Sequence, residues 1–141
     1  SQVGGGFLTG GRHALEEALC MQTTLYLSLR ARAHDAQSKD SSYGPWEHIP
    51  EGHAVASPGV QVHRDSTRLG YPELARGPVK LAGIVSIAMP NKNPLVSDCG
   101  VNAAHGEAYH RLLEDTWTSA LRGAEQLGAS ILVVPDAGCG V

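Results

Sequence analysis

Two adjacent carboxylates, Glu16 and Glu17, stand ten residues beyond a glycine run, Gly4-Gly5-Gly6. Glycines let backbone N–H groups approach a ligand closely. A helix starting after them adds a positive dipole end, which suits phosphate. A carboxyl group held there can act as general acid or base. In glycosidic chemistry a carboxylic acid protonates the leaving oxygen and a carboxylate activates water. Nearby negative charge stabilises the oxocarbenium-like transition state. Neighbouring helical residues project about 100° apart, so Glu16 and Glu17 do not flank one bond as an ordinary glycosidase pair does. One catalytic group and one positioning group is the expected division. Acidic residues in a first helical turn also complement the dipole with no chemistry at all. The glycine run is what favours the chemical reading.

A second glycine loop, Gly138-Cys139-Gly140-Val141, closes the chain. The two loops and the paired carboxylates together suggest a site for a phosphorylated ligand. Neither Gly-x-Gly-x-x-Gly nor Gly-x-x-x-x-Gly-Lys-Ser/Thr occurs, so the dinucleotide and P-loop readings fail. Cys139 in such a loop could serve as a thiol nucleophile. A small side chain needed for loop packing is the plainer explanation. His105 and His110 are five residues apart, off a common helix face, and no His-Glu-x-x-His is present. Neither a metal site nor a cofactor is expected.

Several elements must hold these loops. Apolar residues at helical spacing (Leu15, Ala18, Leu19, Gln22, Leu25, Tyr26, Leu29) predict one helix over about 12–32. On that helix Glu16 and Glu17 point away from the apolar stripe, toward a cleft or solvent. Ala33 to Gly52 is polar and predicts a long loop containing Trp46. His53 to Arg64 predicts a half-exposed strand after the Pro58-Gly59 turn. Val79 to Met89 predicts a central strand buried on both faces. Residues 103–127 predict a second long helix, with Ala108, Tyr109, Leu112, Leu113, Trp117, Ala120, Leu121, Ala124 and Leu127 as its stripe and Gly128 as its stop. Ser130 to Val134 predicts a short buried strand feeding the second loop. Ligands in α/β folds bind beyond the carboxyl ends of strands.

The 141 residues suggest one domain with a real core, 42% of them hydrophobic and only one a Phe. A net charge of −3 with no basic run argues against duplex nucleic acid as a partner. No apolar run approaches the roughly 18 residues that span a membrane. Cys20, Cys99 and Cys139 are odd in number and widely spaced, which fits reduced thiols. With no signal-peptide pattern, the chain reads as intracellular: cytoplasmic, or nuclear in a eukaryote. It starts almost on one glycine loop and stops inside another, so it also reads as a piece of a longer α/β domain.

Gly4-Gly5-Gly6-Phe7-Leu8, Glu16-Glu17-Ala18-Leu19-Cys20 and Leu25-Tyr26-Leu27-Ser28-Leu29 closely resemble the signature of microbial-type poly(ADP-ribose) glycohydrolases. That signature is a glycine triplet, a spacer of six to eight residues, then Gln-Glu-Glu. Here eight residues separate Gly6 from Leu15, which occupies the Gln position. Ser57-Pro58-Gly59-Val60, ending in His63-Arg64-Asp65, is similar to the family's Ser-Pro-Gly-Val segment. Ala88-Met89-Pro90-Asn91 and Gly138-Cys139-Gly140-Val141 resemble later blocks, so matches run in order along nearly the whole chain.

The resemblance implies one partial domain over 1–141, with a macrodomain-like three-layer α/β/α fold, a mixed sheet and both termini incomplete. It implies a glycoside hydrolase that cleaves ribose–ribose bonds in poly(ADP-ribose) or removes ADP-ribose from modified proteins. Glu17 would be the acid/base, and Glu16 would hold the ribose hydroxyls. Gly4, Gly5, Gly6 and Phe7 would lie against the diphosphate and distal ribose. Gly138, Cys139, Gly140 and Val141 would cradle the diphosphate. No metal is implied. A non-catalytic ADP-ribose reader is the alternative, favoured by Leu15 in place of Gln.

Overall fold

The computed structural model describes Val3, Phe7 and residues 15–39, 49–90 and 106–135. Gly4–Gly6, Trp46, Cys99 and Gly138–Val141 lie outside the described residues. Among the described residues three α-helices, α1 (Leu15–Gln22), α2 (Leu25–Lys39) and α3 (Glu107–Gln126), accompany four strands. The strands are β1 (Ala54–Pro58), β2 (Gln61–Val62), β3 (Val79–Lys80) and β4 (Gly83–Ile87). The described residues thus form a mixed α/β structure. All their strand pairings are antiparallel, whereas a mixed sheet was expected.

The single helix expected over 12–32 is two helices. The apolar spacing continues through Thr23-Thr24, so periodicity cannot show the break. Side-chain chemistry makes it. The Thr23 hydroxyl donates to Leu19 O at 2.7 Å and accepts from Leu25 N at 3.0 Å, ending one helix and capping the next. Thr24 N donates to Gln61 O, and Gln61 N donates to Thr24 Oγ1, each at 3.0 Å. The break is therefore tied to β2. The loop expected from Ala33 is helical as far as Lys39. No Gly or Pro lies between Ala33 and Gly44, and Ala, Gln and Lys favour helix.

The strands expected at 53–64 and 79–89 do pair, but as a kinked ribbon. β1 pairs with β4 and β2 with β3 in one unbroken register, from Ala54 opposite Ile87 to Val62 opposite Val79. Gly59 adopts φ 63° at the kink and donates to Ala82 O at 2.9 Å. The main strand therefore comes before the Pro58-Gly59 turn, with only two residues after it. β4 is half-buried along its whole length rather than buried on both faces.

Helices lie against both faces of the β1–β4 pair. Cys20, Leu25, Leu29 and Val60 form a buried cluster, with Val55 and Ile84 packed against it. The next residue of β4, Val85, points the other way, where a Cβ on Gly123 of α3 would come within 3.0 Å of it. α3 ends as expected: Gly128 has φ 64° and Ala129 N donates to Ala124 O. Its buried residues are Thr116, Ala120, Gly123 and Ala124. Leu121, expected in the stripe, is exposed. Ser130–Val134 is not a buried strand. It is irregular chain in solvent, with Ile131 81% and Val133 84% exposed. No strand lies beside it among the described residues, so its apolar side chains have nothing to pack on. No helix among the described residues is long and apolar enough to cross a membrane.

Ser57 on β1 is fully buried, and its Oγ has no hydrogen-bond partner. An unsatisfied buried hydroxyl costs about 1–3 kcal/mol. Ser57→Ala is expected to raise the unfolding free energy by about 1 kcal/mol. Urea denaturation checks this, and a loss of stability would show that the hydroxyl is satisfied in solution.

Candidate active site

α1 places the two glutamates in its first turn, where their charge complements the helix dipole. Both are half-buried, and Glu17 Oε2 is shielded from solvent. The expectation that they leave the core face is corrected by the burial of Cys20, one turn further on. Cys20 is 4% exposed and belongs to the core cluster. Leu15 is 53% exposed and lies outside that cluster. The buried side of α1 is thus rotated toward Glu16, Leu19 and Cys20. Apolarity alone pointed to Leu15 and Ala18, because two glutamates were not expected beside a core residue.

Residues three and four apart share a helix face, so both carboxylates lie near the Cys20 sulfur. Burial pushes the Cys20 thiol up to about 12, and the charges of Glu16 and Glu17 push the same way. Cys20 is therefore a neutral packing residue. The folded-state value is raised, so its contribution to stability is full below pH 9 and is lost as pH rises toward 12. Folded chain at pH 8 should alkylate at Cys20 far more slowly than chain in urea, read by peptide mass mapping. Equal rates would show that the thiol is not sealed in the core.

Phe7, expected to bind ligand, is half-buried and packs on the core cluster. Its ring centroid lies 5.1 Å from that of Tyr26 at an interplanar angle of 51°. Tyr26, read from the sequence as part of an apolar stripe, thus anchors the residue that follows the glycine triplet. Phe7, Glu16 and Glu17 are the expected site residues that the structure describes, and Val3, Phe7 and Cys20 bring both segments to one core. The cavity along β1 is lined by none of these three residues.

The geometry is that of a carboxylate pair on a helix N-terminus, anchored below by a sealed thiol. The sequence around it resembles a known family over part of the chain. Residues 1–65 match the family model of the microbial-type PARG catalytic domain. PARG denotes poly(ADP-ribose) glycohydrolase. The matched stretch contains the glycine triplet, Phe7, both glutamates, Cys20, Tyr26 and the Ser57–Asp65 segment. No curated protein and no solved structure matches the chain.

Proposed function

We propose that this chain carries the acid/base half of an ADP-ribose glycohydrolase site. The observation behind this is the match of residues 1–65 to the PARG catalytic domain, combined with a half-buried Glu17 in the first turn of α1. In this reading Glu17 protonates the leaving ribose oxygen as the C1–O bond breaks, then takes a proton from the attacking water. Glu16, projecting about 100° away, holds the ribose hydroxyls. Gly4–Gly6 and Gly138–Val141 present backbone N–H groups to the diphosphate. In this reading the α/β elements belong to a macrodomain-like α/β/α fold with a mixed sheet. The substrate is poly(ADP-ribose) or ADP-ribosylated protein, and the reaction requires no metal.

Leu15 supports a second reading, an ADP-ribose reader without turnover. It stands where the family has Gln, and it is half-exposed beside the glutamates, so a polar group that could orient water or ribose is missing there. Calorimetry with ADP-ribose beside a turnover assay separates the two. Release of ADP-ribose from modified protein supports the hydrolase; binding without release supports the reader.

A further inference from the structure

On the ADP-ribose reading of the Glu16–Glu17 site, we propose that the hairpin over 61–80 is a second surface for poly(ADP-ribose), gripping the unit next to the one held at the glutamates. Charge marks this hairpin out. It contains four of the 11 Lys and Arg residues (Arg64, Arg68, Arg76, Lys80) and two of the 14 Asp and Glu residues (Asp65, Glu73). Its net charge is therefore +2, and the rest of the chain carries −5 to give the total of −3. Arg64 and Asp65 are used within the hairpin: Arg64 Nη1 donates to Tyr71 O at 3.0 Å, and Asp65 Oδ1 accepts from Ser66 N at 2.7 Å. Arg68, Arg76 and Lys80 are exposed, and no carboxylate among the described residues pairs with any of them. Glu73 is the one exposed carboxylate beside them.

The tip adds an aromatic ring. Tyr71 adopts φ 56°, a left-handed conformation that a bulky residue rarely takes. The surrounding bonds hold it there. Tyr71 N donates to Ser66 O at 3.2 Å, Arg64 grips its carbonyl, and Asp65 N donates to Pro72 O at 2.9 Å. The Tyr71 side chain is half-buried and makes no hydrogen bond or ring contact among the described residues. Free cations around an aromatic ring suit a flexible polyanion that carries bases. Each unit of poly(ADP-ribose) brings a diphosphate for the cations and an adenine for the ring.

Placement connects this surface to the glutamates. Gln22, the last residue of α1, accepts at its carbonyl from His63 N at 2.9 Å and Arg64 N at 3.2 Å. Glu16 and Glu17 stand in the first turn of the same helix, whose 8 residues span about 12 Å. A polymer held at the glutamates thus has the hairpin within reach, and its second attachment is intramolecular. Single-stranded RNA offers similar charge and bases but has no ADP-ribose unit for the first attachment.

Fluorescence anisotropy with labelled poly(ADP-ribose) of defined length tests this on the whole chain, beside calorimetry with ADP-ribose. Glu17→Gln is carried throughout to preserve the polymer. The polymer is expected to bind at least tenfold more tightly than ADP-ribose. The combined Arg68→Ser, Arg76→Ser and Lys80→Ser variant should bind polymer at least tenfold more weakly, with ADP-ribose affinity unchanged. Its slope of log affinity against log salt should be shallower by about 2, the share of three neutralised phosphates. Tyr71→Gly accepts the left-handed backbone without strain and should weaken polymer binding about fivefold or more, whereas Tyr71→Phe keeps the parent affinity. Polymer affinity and salt slope left unchanged by the triple variant would overturn the proposal, as would single-stranded RNA of equal charge binding as tightly as the polymer. Failure of the ADP-ribose site itself shows separately, as absent ADP-ribose binding in the parent chain.

Discussion

Glu17→Gln is expected to lower ADP-ribose release by about 10²–10⁴-fold while leaving the fold intact. Gln keeps the size and shape of the side chain but can neither give up nor take a proton. That loss corresponds to about 3–5 kcal/mol of transition-state stabilisation, at 1.36 kcal/mol per decade. It should appear in kcat, with ADP-ribose affinity nearly unchanged, because the proton transfers occur in the transition state rather than on binding. Glu16→Gln should act differently. A group that holds the ribose hydroxyls contributes in both ground and transition states, so KM should carry much of its effect. Wild-type kcat in Glu17→Gln would remove the proposed role. Circular dichroism of the variant checks the fold, since Glu17 Oε2 is buried beside Cys20.

Gly83→Ala is expected to destabilise the chain by about 3 kcal/mol, the upper end of the usual overpacking cost. A Cβ at Gly83 would lie 2.5 Å from the carbonyl oxygen of Ser57 and 2.8 Å from both δ carbons of Leu127. The Leu127 tip can rotate, but the Ser57 oxygen belongs to the backbone of β1, fixed by its ladder with β4. Relief requires the two strands to part or α3 to lift. A thermal scan should show the midpoint falling by roughly 10 °C. Gly123→Ala is a graded control. Its Cβ would meet Val85 Cγ1 at 3.0 Å, a side chain that can give by a few tenths of an ångström. A Gly83→Ala chain as stable as the parent would show that β1 and α3 are less tightly joined than described.

Particular residues explain what the sequence made legible. The second helix and its stop at Gly128 were readable because periodicity and a left-handed C-terminal glycine agree. The two strands flanking 63–78 were readable because Val60, Val62, Ile84, Val85 and Ile87 carry strand character. Their division at Gly59 and Ala82 needed the partner register, which no local pattern contains. The Thr23-Thr24 break was hidden because its cause lies partly in Gln61, far along the chain. At the candidate site, spacing placed Glu16 and Glu17 near a helix start, and α1 carries them in its first turn. Spacing misjudged their burial, since the depth of Cys20 depends on Leu25, Leu29 and Val60 converging from other elements. Ile131–Val134 was read as buried because apolar residues usually are. A short apolar run does not say which neighbour covers it.

The central claim is that the Glu17 site cuts a glycosidic bond, and a time course of ADP-ribose release from poly(ADP-ribosyl)ated protein tests it most directly. The chain is expected to release ADP-ribose catalytically, and Glu17→Gln to slow that release by about 10²–10⁴-fold. Tight ADP-ribose binding by a protein that releases nothing over the same time course would contradict it.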